Sequence, residues 1–525
     1  MKNAVKKLWD HIEGINGLIL ILYCIFIFSS FAFFELDLTE HLIKWLLLIV
    51  AVSVLFCPLL IKAVGKIRFP NRLNTRSGDK LWDVLFFLIP FVLFLIKYLI
   101  YYPMGLSADT YDQLTDALTN QYHDWHPALH TLLAFKLPLL LTGGWFGSVT
   151  LFQILVFSVV LWYSLRSIKA YTGTGYAVAA MLFIMLNPQT TNMAMYPWKD
   201  VAFAIGALLM LTYVLHIYFT DGQWIKNPIN TCLLIVVFVL TTFFRHNAVL
   251  FTVPLLIAVF ILIAKKRALV ICLCAATLFC GIKYPLYSAL GVESPDQRQV
   301  ETLGLPMTVI GAVVTYAPEQ LDEETLTFAY RVAPAEVWEE KFTYGNYNYV
   351  KWDDRTNNYV IEEYGAAKVL GMAVRCFKQC PTVALKSLIR LTEVVYSVCG
   401  NYIYLDMPRV GENPYGISDQ GIPALQNLNE KISLMVFACF PGLFMYIGAM
   451  HLALIVSFLA KFQLNKRKAW KVLLILLPVF VYNFGTALLL TGANDSSRFF
   501  YYTFFLMPTL LVFLFKSKVE RGTTA

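Results

Sequence analysis

The run Phe86-Phe87-Leu88-Ile89-Pro90-Phe91-Val92-Leu93-Phe94-Leu95-Ile96 lies inside an apolar stretch over residues 81–101. It is followed by Ser107-Ala108-Asp109-Thr110-Tyr111-Asp112 and then by Tyr122-His123-Asp124-Trp125-His126-Pro127 and His130. A bilayer core about 30 Å thick requires a helix of about 20 apolar residues, and this stretch supplies one. The carboxylates Asp109, Asp112, Asp116 and Asp124 and the imidazoles His123, His126 and His130 then crowd the place where the chain leaves the bilayer. Charge at that depth is costly, so ionisable clusters there are functional candidates by default.

The same apolar pattern recurs along the chain. Of 525 residues, 58% are hydrophobic and only 14% charged, and the mean hydropathy is +0.61. The class is all-α: a polytopic helical membrane protein with an extracytoplasmic helical cap. Spans are expected at about 15–34, 43–63, 81–101, 146–165, 173–187, 200–219, 230–244, 248–264, 268–290, 431–459, 470–491 and 498–516, about twelve transmembrane helices in all. The first lacks a small-residue cleavage site and reads as a retained anchor. The basic loop Lys62, Lys66, Arg68, Arg72, Arg76 and Lys80 marks the cytoplasmic side. Arg166 and Lys169, Lys226, Lys265 to Arg267, Lys466 to Lys468, and Lys516, Lys518 and Arg521 fall on that side too. Both termini are then cytoplasmic in a multi-pass cell-membrane protein, and the Asp109 loop is extracytoplasmic.

Three regions follow. Residues 1–290 form an N-terminal transmembrane module with an outer loop at 101–145, residues 291–430 an extracytoplasmic loop domain, and residues 431–525 the last transmembrane helices. The 291–430 segment carries 19 acidic and 11 basic residues, against a net charge of +8 for the whole chain. The basic surplus therefore belongs to the membrane loops, and nucleic-acid binding is excluded as its explanation. The segment is too apolar for disorder. Its 369–389 stretch reads as a helix interrupted by Pro381. Of ten cysteines, seven lie in apolar runs and read as small buried hydrophobes. Cys376, Cys380 and Cys399 lack a partner pair at zinc-site spacing, and no disulfide is deducible from them.

The expected outer layer gathers Asp109, Asp112, Asp124, His126, His130, Lys199, Asp200, Arg245, His246, Asp495 and Arg498, with Lys97 near the outer end of its span. Asp109, Asp112 and Asp124 are the candidate catalytic carboxylates, and the histidines, Lys199, Asp200 and the arginines are candidates for substrate binding. A carboxylate base facing a cationic clamp suits transfer from a phosphate leaving group. Plainer readings exist for each. Asp109 also suits a helix cap. Asp112 and Asp116, spaced i, i+4, also suit a solvated helix face, the favoured reading for Asp116. His126 and His130, at the same spacing, are candidate ligands for a divalent metal, whose involvement the sequence leaves open. Arg245 and Arg498 also suit interfacial anchoring. Lys199 opposes the positive end of the helix it begins, which favours a functional role.

These residues resemble the motifs of the C-type glycosyltransferases, integral membrane enzymes that use polyprenyl-phosphate sugars, and in particular a bacterial branch of that superfamily. The matching features are Ser107 to Asp112, Asp124-Trp125-His126-Pro127, Asn187-Pro188 with Pro197-Trp198-Lys199-Asp200, Arg245-His246-Asn247, and Arg498-Phe499-Phe500-Tyr501. The resemblance implies a catalytic base at Asp109 and a lipid-phosphate site among Lys199, Arg245 and Arg498. It also implies a polyprenyl-phosphate sugar donor and a cell-envelope glycan or glycolipid acceptor outside the cytoplasm. The long outer loop follows the third span here, two spans later than is usual for the family. O-antigen ligases and polymerases are the second reading, since their large loop also comes late, but this one contains no histidine. A lipid-linked oligosaccharide flippase or other transporter is the third.

Overall fold

The computed structural model describes residues 15–34, 47, 50–51, 58–67, 69, 79–294, 298–398, 407–464, 466–492 and 497–515. The expectations for most of the 43–63 span, for Arg68, Arg72, Arg76, Cys399 and Asp495, for the side chains of Lys466 to Lys468, and for residues 516–525 lie outside them. Among the described residues the regular structure is helical, with only isolated β-bridges such as Leu106 to Val410. Five of these helices are long and apolar enough to cross a membrane: Lys80–Ile100, Gly147–Thr172, Lys199–Phe219, Lys265–Ala289 and Ala469–Leu489. The chain is a multi-pass helical protein by build.

The chain opens with α1 (Ile15–Phe34) and α2 (Asp79–Ile100), and the latter delivers α3 (Ala108–Thr119). The sequence of α3 is polar, and the helix ends where Asn120 turns left-handed at φ 57°. A bent helix, α4 (Ala128–Leu141), follows with a wider π-helical turn in its middle. Then come α5 (Gly147–Thr172), α6 (Thr174–Leu186) and the short α7 (Pro188–Met193). Asn187 starts α7 by accepting a hydrogen bond from the Gln189 amide at 2.9 Å, with Pro188 at the first helical position.

The hub of the fold is α8 (Lys199–Phe219). It is apolar on every side, as a helix surrounded by others must be. It packs against α5, α9 (Pro228–Phe243), α10 (Val249–Leu262) and the last helix. Apolar burial does not drive helices together within lipid, so close packing and interhelical polar contacts hold this bundle. At Gly206 a Cβ would meet Thr241 Oγ1 at 2.3 Å, which lets α8 and α9 touch closely. Ser164 and Thr212 hydrogen bond at 2.9 Å between α5 and α8. Such bonds are each worth about 0.6 to 2 kcal/mol.

After α11 (Lys265–Gly281), residues 300–384 build a hydrophobic core of their own. It joins α12 (Gly304–Tyr316) and α13 (Ala366–Gln379) around Phe328, Trp338 and Phe342. The Trp338 indole donates to the Ala329 and Ala333 carbonyls, both at 3.1 Å. The break expected at Pro381 is present, between α13 and α14 (Pro381–Tyr396). Cys376 and Cys380 are free thiols buried beside it. This unit docks on the bundle where the Tyr347 amide donates to the Thr491 carbonyl at 2.7 Å.

The expected single span at 431–459 is corrected. It is two helices, α15 (Pro423–Cys439) and α16 (Ile447–Leu464), because Pro441 cannot continue the helix that ends at Cys439. The bundle closes with α17 (Lys466–Leu489) and α18 (Tyr502–Phe515).

Candidate active site

Asp109 lies in the first turn of α3, where the helix dipole favours a negative charge. Ser107 occupies the cap position but does not cap. Its hydroxyl instead accepts a 2.7 Å hydrogen bond from the Trp198 indole. That bond ties the start of α3 to the residue preceding α8. The Trp198 ring stacks on Tyr196 at 4.1 Å. Gly105 makes room for that stack, since a Cβ there would lie 2.4 Å from the Tyr196 ring.

Two cations reach the Asp109 carboxylate. Lys199 Nζ is 3.4 Å from Oδ2, and the Arg498 guanidinium is 3.1 Å from the same oxygen. The Arg498 guanidinium also lies 4.9 Å from the centres of the Trp198 and Phe499 rings. Burial by itself would raise the Asp109 carboxyl. The opposing charges of Arg498, Lys199 and His126 together outweigh burial and hold it well below the usual carboxylate range. Capping alone is thus the wrong account of Asp109.

His126 extends the cluster. Lys199 Nζ donates to its Nδ1 at 2.6 Å, which assigns the ring proton to Nε2. Nε2 faces Asp112 Oδ2 across 3.5 Å, too far for a good hydrogen bond. Burial, and then the Lys199 charge, lower the His126 pKa, with Asp112 opposing. His126 is therefore a neutral imidazole. Lys351, from the unit with its own core at residues 300–384, is buried, pairs with Glu301, and feels the Asp109 charge.

The remaining expected residues separate from this centre. Arg245 pairs with Asp200, and both are buried, at 6% and 1% exposure. Arg245 also lies 4.5 Å from the Phe499 ring centre. Its charge is already matched by Asp200, and it shares the Phe499 ring with Arg498, which lies 4.9 Å from the same ring centre. His130 is fully buried. Its Nδ1 lies 2.8 Å from Gln113 Nε2, which also donates to Thr131 at 3.0 Å. That makes His130 a packing residue instead of a substrate contact.

Asp116 is not on a solvated face. It is 8% exposed and accepts from the His123 amide and ring, both at 3.3 Å. Asp112 is the more open of the two. Asp124 pairs with Lys283 at 2.7 Å, beside a cavity of about 680 Å³ that Tyr287 and Glu293 also line. His246 is exposed. Among the described residues no group of three or more His, Cys, Asp or Glu is arranged to hold a metal ion.

Sequence reasoning missed Lys283, Lys351, Gln113 and the tether from Trp198 to Ser107. A signal existed for two of them. Gln113 is four residues after Asp109 and so shares its helix face, and Lys283 is a lone cation in an apolar run. Comparison with models of known families, with curated proteins and with solved structures gives no match.

Proposed function

We propose that the protein is a glycosyltransferase that moves a sugar from a polyprenyl-phosphate donor to a cell-envelope glycan or glycolipid. In this reading the chain crosses the cell membrane about twelve times, both termini are cytoplasmic, and the Asp109 centre is extracytoplasmic. The observation that carries the reading is the convergence of Asp109, Lys199 and Arg498 from three distant parts of the chain. A part-buried carboxylate with two cations within 3.4 Å of one of its oxygens suits a base and a phosphate clamp in one place.

The chemistry follows from competition for the cations. Without a ligand, Lys199 and Arg498 neutralise Asp109 and make it a weak base. A donor phosphate between them takes over part of that attraction, and the carboxylate becomes more basic as the donor seats. The acceptor hydroxyl then attacks the anomeric carbon, its proton passes to Asp109, and the carbon–oxygen bond to phosphate breaks. The phosphate leaves with the electron pair, held by the same cations. One displacement inverts the anomeric centre, and no second carboxylate is required.

The test is incubation of the purified protein with a panel of radiolabelled polyprenyl-phosphate sugars and cell-envelope lipid extract. Transfer of label supports the reading. No transfer from any donor, in protein shown to be folded, removes it. Topology is tested separately: a cysteine placed at Glu336 should react with a membrane-impermeant reagent added outside, and one at Lys226 should not.

A further inference from the structure

Lys97 sits in the last turn of α2, three residues before its end. Its ammonium does not reach outward along the helix, as an anchoring lysine does. It turns inward to α7, where it donates to Thr191 Oγ1 at 2.8 Å and to Asn192 Oδ1. Both acceptors are buried, at 7% and 0% exposure. Asn192 Oδ1 also accepts from Asn429 of α15 at 3.2 Å, and Asn429 donates to the Tyr101 hydroxyl at 2.8 Å. All of these partners are neutral, and no carboxylate among the described residues pairs with Lys97.

Lys97 is part-buried, and an ammonium drawn partly out of water is costly unless hydrogen bonds or an anion compensate it. Lys199, Lys283, Lys351, Arg245 and Arg498 each have a carboxylate beside them. The surroundings state where the anion comes from. Helices α2 and α15 flank the ammonium and present Ile96 at 48%, Leu99 at 54%, Leu428 at 50% and Ile432 at 46% exposure. These exposed apolar side chains lie within three residues of Lys97 and Asn429 in the chain, and such a surface suits acyl chains.

We infer that Lys97, with Asn192 and Asn429, forms a second lipid-phosphate site, separate from the Asp109 centre and open to the bilayer between α2 and α15. The ligand class is a lipid with a phosphate headgroup. Lys97 supplies the charge. Asn429 uses both amide protons to hold Asn192 and the Tyr101 hydroxyl in place, and that hydroxyl, which accepts from Asn429, keeps its own proton as the neutral donor. The site is joined to the candidate centre by residues 192–199, which hold Asn192 at one end and Lys199 at the other. Where the transferase reading holds, a second lipid phosphate beside the donor site suits an acceptor carried on a lipid, and that step alone rests on the reading.

The test needs no turnover. The full-length protein is placed in nanodiscs containing phosphatidylglycerol, and retained phospholipid is counted by native mass spectrometry after extraction. Lys97→Met keeps the side-chain length and removes the charge, and Lys97→Arg keeps the charge. The expected result is one phospholipid retained by the wild type and by Lys97→Arg, with at least fivefold lower occupancy in Lys97→Met. Lys199→Met, run in parallel, should keep that lipid, which separates this site from the donor clamp. Equal occupancy in Lys97→Met and wild type overturns the proposal. So does displacement of the lipid by millimolar inorganic phosphate, which would assign the anion to a soluble source. If Lys97→Met fails to fold, Asn429→Leu serves instead and should lower occupancy likewise.

Discussion

Asp109 Oδ2 lies 3.1 Å from the Arg498 guanidinium, which ties the first turn of α3 to the turn that precedes the last helix. Side-chain exposure is 23% for Asp109 and 21% for Arg498, so water screens the pair only in part. Asp109→Asn removes the charge and keeps the shape. We expect a folded protein that retains donor but transfers sugar at least about 100-fold more slowly, the usual cost of losing a general base. Donor retention is read by equilibrium binding and transfer by single-turnover kinetics. Turnover near wild type would move the base to Asp112, which faces His126.

The buried pair of Asp200 and Arg245 predicts a different signature. Removing one partner strands the other charge in a water-poor interior, at a cost of about 3–5 kcal/mol. Asp200→Asn should therefore lower the melting temperature sharply. The double variant Asp200→Leu with Arg245→Met should recover part of the loss, because no charge is then stranded. If the double variant melts below both single variants, the pair is contributing packing instead of matched charge. If Arg245→Met melts like wild type and loses only donor affinity, Arg245 is a clamp after all.

Gly105 predicts a structural route to lost function. Alanine there would bring Cβ within 2.4 Å of the Tyr196 ring and displace the stack on Trp198. Trp198 would then lose its bond to Ser107, and Asp109 would drift from Lys199. We expect Gly105→Ala to lower transfer by at least about tenfold, in line with the cost of small misplacements at a reacting centre. Melting should change much less than in Asp200→Asn. Unchanged transfer would show that the tether is dispensable.

Much of this was legible in the chain itself. Apolar runs near the bilayer thickness pick out Asp79–Ile100 and Lys199–Phe219 without ambiguity, and ionisable groups beside them pick out Asp109, Lys199 and Arg498. What was not legible is pairing. Nothing in the order of residues says that Arg245 pairs with Asp200 while Arg498 reaches Asp109, since one ends an apolar run and the other begins one, and both fall at the same expected edge. Asp116 misled for a related reason. Its i, i+4 partner Asp112 does face outward, but the loop returning at His123 folds over Asp116 and buries it. The break at Phe440-Pro441 was marked by the proline, yet apolar residues on both sides carried the hydropathy of one span across it.

His126 supplies the last prediction, and its sign can be worked out. Lys199 lies at Nδ1, Asp112 beyond Nε2 and Asp109 behind Lys199, and Asp116 and His130 are close enough to feel the ring's charge. Burial and the lysine keep its folded-state pKa below the ordinary histidine value of about 6.5. Below that pH the unfolded chain takes up a proton at this position and the folded chain does not. Acid therefore favours unfolding, and the stability carried by neutral His126 is fully present above about pH 6.5 and declines as pH falls. His126→Gln has no ionisable ring, so it should lose less stability than wild type between about pH 7 and pH 5. Denaturation in detergent at several pH values in that window reads the difference directly. If the variant loses more stability than wild type on acidification, His126 is protonated in the folded protein and paired with Asp112, and the hydrogen bond from Lys199 is assigned the wrong way round.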